Sequence, residues 1–150
     1  MQIGPPSSSA AILFQAHRTT SQTLANGADT KIICDSVDAD IGGFYTAGTG
    51  RYLPTVAGWY MVSGQVTIST AADGTTLRVL LYKKGTDVTT FWGTIGKASI
   101  SSQSFSIPVY LDGTDYIEMN AAQDSGSEET ATGSATKLLT FFSAYLLRTA

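Results

Sequence analysis

From Gln103 to Leu111 polar and apolar residues alternate without a break. Phe105, Ile107, Val109 and Leu111 fall on one side; Ser104, Ser106, Pro108 and Tyr110 fall on the other. A period of two marks an extended strand with one buried face, because successive side chains of a strand point to opposite faces. Trp59 to Thr70 repeats the pattern over a longer run. Tyr60, Val62, Val66 and Ile68 share one face with Gly64 between them, and Trp59, Met61, Ser63, Gln65 and Thr67 take the other. No stretch of useful length carries the 3.6-residue period of a helix, and no internal repeat is present. A chain patterned this way predicts an all-β sandwich of eight to ten short strands joined by turns, with a jelly roll as the first expectation.

Turn chemistry divides the remaining strands. Asp73-Gly74 centres one turn and Lys83-Lys84-Gly85 another, with Leu77, Val79 and Leu81 alternating between them. "DGTD" at 112–115 leads into a strand over 116–121. Short apolar runs at 10–17 and 30–34 predict two more strands, and 138–147, apolar on nearly both sides, predicts a central strand covered on both faces. Pro108 cannot donate to a ladder, which places it at an edge or a bulge. The segment 35–50 reads as turn-rich and irregular, and 122–136 as a long exposed loop.

Composition narrows function. Only 14% of residues are charged, the net charge is −3, and the nine Lys and Arg are scattered, so no basic stripe offers itself to a phosphate backbone. No 18-residue apolar run exists for membrane insertion by a helix. Cys34 is the one cysteine, which excludes an intramolecular disulfide. The start, "MQIGPP", lacks the basic and apolar regions of a signal peptide, so release by another route such as lysis is expected.

Catalysis has little to draw on. Nucleophilic chemistry would need the one histidine, His17, with a serine or Cys34, and His17 reads as a strand-end residue. A zinc site lacks ligands, and a paired-carboxylate hydrolase site would have to use Asp112, Asp115 and Glu118, two of which bracket a turn. The expectation is a non-enzymatic protein with no cofactor. Asp35, Asp38 and Asp40 lie within six residues and are weak calcium candidates; the turn-forming role of aspartate explains them without a metal. Phe91 and Trp92, adjacent in a presumed loop, either anchor a partner or close the end of the barrel. The acidic stretch with Asp124, Glu128 and Glu129 is a solvated loop or a contact loop.

"GTGRYLPTVAGWYMVSGQVTI" resembles the signature of complement 1q-like globular domains, relatives of the tumour-necrosis-factor jelly roll. Gly50, Tyr52, Pro54, Ala57, Gly58, Trp59 and Tyr60 occupy its Gly, aromatic, Pro, small, Gly, aromatic-Tyr positions. "LRVLLYKKGTDV" looks like the family's strand-turn with Lys84 where Asn is usual, "FSIPVYLDGTDYIEM" like its Leu-x-Gly-Asp turn, and "FFSAYLL" like its closing strand with Ala144 where Gly is usual. The resemblance spans residues 11–147 and implies a ten-strand jelly roll, a compact homotrimer, and a Pro-to-Tyr corner between sheets. With neither collagen-like stalk nor export signal, the chain looks like the free-standing type found in tailed bacteriophages. The expected reading is a virion protein. Residues 1–10 form an arm using Ile3 and Pro5, and residues 11–150 form a single jelly roll. Capsid decoration on the major capsid protein comes first. Receptor binding at a tail-fibre tip, to a host glycan or protein through 86–101 and 124–136, comes second. A secreted binding module comes third.

Overall fold

The computed structural model describes residues 11–95 and 99–150. The expected arm, with Ile3 and Pro5, lies outside the described residues. Thirteen strands are present among the described residues, and no helix. In chain order they are β1 (Leu13–His17), β2 (Gln22–Leu24), β3 (Thr30–Lys31), β4 (Ser36–Ile41), β5 (Tyr45–Thr46), β6 (Arg51–Tyr52) and β7 (Gly58–Ala71). Then follow β8 (Thr76–Lys83), β9 (Thr86–Thr94), β10 (Ser99–Leu111), β11 (Ile117–Gln123), β12 (Glu129–Ala131) and β13 (Phe141–Thr149).

Two antiparallel sheets face each other. The first runs β2-β12-β7-β13-β1-β4, with β10 on the other side of β7; the second runs β5-β6-β11-β8-β9, with β3 also on β11. The fourteen-residue β7 is the spine of the first sheet. It pairs with β10 along almost all its length, and on its other edge with β13 and, at Ile68, with β12. β10 has β7 as its only partner strand among the described residues, so Pro108 sits on an edge, where a missing N–H costs nothing.

The core forms where the inward sides of the alternating strands meet. Tyr60, Val62, Val66 and Ile68 from β7 are fully buried against Leu77, Val79 and Leu81 from β8 and Ile117, Met119 and Ala121 from β11. At one end, Phe14 stacks on Tyr52 at 4.2 Å and on Tyr45 at 4.9 Å, and meets the edge of Phe142 at 5.1 Å. Each such side chain contributes about 1.5–3 kcal/mol by burial. Residues 53–57 carry the chain from β6 in the second sheet to β7 in the first, which is the corner the sequence signature implies. Tyr60 ties that corner down by donating its hydroxyl to Val56 O at 2.8 Å. Gly64 is required because a Cβ there would lie 2.5 Å from Met119 Sδ and 2.7 Å from Phe105 Cε1.

Several expectations are corrected. Segment 35–50 contains β4, a six-residue strand paired with β1, and β5. Segment 122–136 contains the end of β11 and all of β12, with Ala122, Gln123 and Ala131 buried. Residues 86–94 are an edge strand, β9, paired with β8. The last strand is central in its sheet, between β7 and β1, yet its second face is open: Tyr145 and Leu147 are half exposed.

Candidate functional site

Register fixes what the open face of the first sheet presents, because directly paired residues of neighbouring strands share a face. Trp59 lies between Tyr110 on β10 and Arg148 on β13. Two residues on, Met61 lies between Pro108 and Tyr145, and the row continues through Leu13 on β1 to Ile41 on β4. An apolar band thus crosses five strands. Trp59 and Tyr110 meet edge to face at 5.8 Å, yet Trp59 remains 48% exposed and Tyr145 49% exposed. Leu147, the extra residue where the β13 register shifts, is also half exposed. A groove of about 390 Å³ follows the β1–β13 seam, lined in part by Leu13, Gln15, Ser143 and Tyr145.

The next row changes character: Ser63 between Ser106 and Ser143, then Gln15 and Ala39. Ser63 and Ser106 share a hydrogen bond at 2.8 Å. Beyond it come Gln65 between Ser104 and Phe141, and Thr67 paired with Ser102, whose hydroxyls bond at 2.7 Å.

Two buried carboxylates, Glu118 on β11 and Asp115 in the turn before it, are both held ionised by cations. Glu118 receives Lys31 Nζ at 2.5 Å and Arg51 Nε at 2.6 Å. Burial opposes its ionisation, but these two hydrogen bonds outweigh burial and lower its pKa. Asp115 is likewise opposed by burial, but Lys83 Nζ and Lys84 Nζ, each at 2.8 Å, and the backbone at Asp112 bring it to about 2. Lys84 adopts φ of +51°, the left-handed turn conformation that suits the family's usual asparagine, and its amine goes to Asp115 instead. Asp112 Oδ1 accepts from Thr114 N, Thr114 Oγ1 and Asp115 N, a turn role. These acids hold the β10–β11 turn and the sheet surface; they do not flank a cleft.

The calcium candidates part company. Asp35 accepts from Thr19 N at 2.7 Å and Thr19 Oγ1 at 2.8 Å. Asp38, the bulged residue opposite Gln15/Ala16, pairs with His17 Nδ1 at 2.9 Å. Asp40 accepts from Phe44 N and Tyr45 N, at 3.0 and 2.9 Å. No group of three or more His, Cys, Asp or Glu side chains placed to hold a metal exists among the described residues. Cys34 is fully buried; burial pushes its thiol up to about 12, and its carbonyl accepts from Tyr45 Oη at 3.0 Å.

Phe91 and Trp92 are not loop neighbours but alternate on β9. Phe91 turns inward and stacks on Phe105 at 5.6 Å; Trp92 turns out and is 66% exposed, opposite Arg78. Asp124 is spent on Thr76 N at 2.6 Å, Glu128 is exposed, and Glu129 opens β12 opposite Leu24. The apolar band was missed as a surface. Its signal was the bulk on the side of β7 and β10 away from the core-facing residues: Trp59, Met61 and Tyr110.

Among the described residues the chain is a helix-free jelly roll with an aromatic face open on its first sheet. The chain matches the C1q domain over residues 13–147 and belongs to that family, whose domains are generally non-enzymatic. Among solved structures it is similar to the Eiger TNF of S. frugiperda, with a TM-score of 0.72 and 13% identity over 93% of this chain and 94% of that one. The globular domain of zebrafish complement 1qA gives 0.67 and 13% over 93% and 99%, and murine APRIL gives 0.67 and 12% over 91% and 99%. At such identities the likeness is one of fold. No curated protein matches the chain in sequence.

Proposed function

We propose that the chain works as a homotrimeric, non-enzymatic structural and binding module that self-associates through the open face of the first sheet. The apolar band across β10, β7, β13, β1 and β4 carries this reading. Half-exposed side chains of this size leave on the order of 500 Å² of apolar surface in water, at the upper end for a protein that stays alone. The family resemblance supports three copies rather than two. Light scattering should report about three times the 15.8 kDa chain mass, and Tyr145→Glu should reduce it to one. A monomeric wild type overturns the reading.

The setting proposed is a tailed-phage particle, with capsid decoration on the major capsid protein as the role; the likeness to free-standing phage domains in the sequence supports it. Receptor binding at a tail tip is the second role, favoured by Trp92, which stands exposed on the second sheet, away from the self-association face. Gold labelling of an epitope-tagged copy separates them: label over heads supports decoration, label at tail tips supports attachment. Unlabelled particles refute the virion setting and favour a secreted module.

A further inference from the structure

Asn26 and Gly27 lie in the exposed turn after β2, against the turn that follows β11. An asparagine followed by glycine is prone to internal attack on its side-chain amide, because glycine puts no Cβ in front of its own nitrogen. A Cβ at Gly27 would have nothing within 4 Å, so the site is open to water. We propose that Asn26 is a latent deamidation site, held back by the contacts between these two turns and released when the turns part.

Two hydrogen bonds place the reacting groups on different partners across the junction. Gly27 N, the nitrogen that must attack, donates to Gln123 O at 2.7 Å. Asn26 Oδ1, on the carbon to be attacked, accepts from Gly126 N at 2.8 Å. A donor on Oδ1 would by itself favour attack, but it does not help while the nucleophile's proton is engaged elsewhere. Asn26 and Gln123 also form a parallel bridge. Gln123 is fully buried, and its side chain fixes the second turn. Its Nε2 donates to Leu24 O at 3.3 Å and Ser127 O at 2.7 Å, and its Oε1 accepts from Ser125 N at 2.7 Å.

Once the turns part, Gly27 N–H gives its proton to hydroxide and the electron pair on nitrogen bonds to Asn26 Cγ. The Cγ–Nδ2 bond breaks, Nδ2 takes a proton from water, and ammonia leaves a cyclic imide. Water then opens the imide at either carbonyl, leaving aspartate or isoaspartate at position 26. Both products add a negative charge to segments 24–29 and 123–136, which hold Asp29, Asp124, Glu128 and Glu129 and no Lys or Arg. Isoaspartate also adds a carbon to the backbone, which shifts Gly27 N out of register with Gln123 O. Loss of ammonia makes the step one-way, so the modified turns stay apart.

Ageing the full chain at mildly alkaline pH, native and in urea, tests this. The peptide containing Asn26 is scored by mass spectrometry, with isoaspartate counted by an isoaspartyl methyltransferase. Asn120, followed by Ala121 inside β11, is the internal reference. Native protein is expected to convert Asn26 at least about tenfold more slowly than the unfolded chain, because attack waits for local opening. The Gly27 amide should be protected from hydrogen exchange by a factor matching that suppression within about threefold, since one opening governs both. Gln123→Ala, checked for its fold by dichroism, should age faster than wild type. Native ageing as fast as in urea, an unprotected Gly27 amide, or a folded Gln123→Ala that ages like wild type each overturns the proposal. Where Gln123→Ala does not fold, the match between exchange protection and ageing in the wild type decides.

Discussion

Phe14→Ala is the substitution that tests the aromatic end of the core most directly. Phe14 is 1% exposed and touches Tyr52, Tyr45 and Phe142, one ring from each of three other strands in the two sheets. Truncation removes the ring's burial and leaves a cavity walled by three other rings, which cannot collapse without moving β5, β6 and β13 together. Phe→Ala in such a site costs about 3–5 kcal/mol, and loss of favourable ring pairs places this one in the upper part of that range. A domain of this length has roughly 8–20 kcal/mol of stability, so the variant should fold but with a much lower urea midpoint. Unfolding is followed by far-ultraviolet dichroism at one fixed protomer concentration, because the proposed self-association would add to apparent stability. Phe91→Ala is the control: it loses a single ring partner at the partly open β9 edge and should cost clearly less. If Phe14→Ala loses under about 1.5 kcal/mol with an unchanged denaturant slope, the three-ring cluster is not the keystone described.

Tyr52→Phe should raise stability by about 1 kcal/mol in the same assay, since the Tyr52 hydroxyl is buried with no partner among the described residues; a loss would reveal a bond the geometry lacks. Gly64→Ala should cost about 1–3 kcal/mol by overpacking against Met119 and Phe105, and a neutral result would mean the sheets can spread there. Asp115, held at about 2 against an ordinary 3.8, contributes stability that is complete above the ordinary value and is lost as pH falls through about 2. The urea midpoint should therefore decline over that window, and Asp115→Asn should flatten this part of the decline. Cys34, pushed up to about 12, should be silent toward Ellman's reagent at pH 8 in the native protein and react on unfolding.

The parts of the fold legible in the sequence were those with two-residue alternation. β7, β8 and β10 announce themselves because one face of each is continuously apolar. β4 was unreadable for the opposite reason: Ser36, Asp38 and Asp40 look like turn residues, and only β1 supplies the ladder that makes the segment a strand. β12 is three residues long and polar at two of them, and it exists because β2 and β7 offer partners on either side. Phe91 and Trp92 were placed in a loop because Thr89, Thr90 and Gly93 dilute the alternation around them. The candidate site was half legible. Trp59 and Met61 were assigned to one face from β7 alone, but joining them to Tyr110, Tyr145 and Leu13 needs the register of three other strands, one of them shifted at Leu147. That information is non-local.

The seam between β1 and β13 has a consequence for how the protein is made. Leu13 to His17 pair with Tyr145 to Phe141, so residues near the beginning of the chain wait for residues near its end. While the ribosome is still translating β11 and β12, Phe14 has neither its ladder partner Ala144 nor the ring of Phe142, and β7 shows a bare edge where β13 will lie. Until then, among the described residues, β1 has β4 alone as a partner strand. Closure is a single late event, slow by the standards of a chain this size because its contacts bridge most of its length. Until then the nascent polypeptide displays that strand edge, which makes crowded polysomes the place where premature cross-pairing between neighbouring chains would begin.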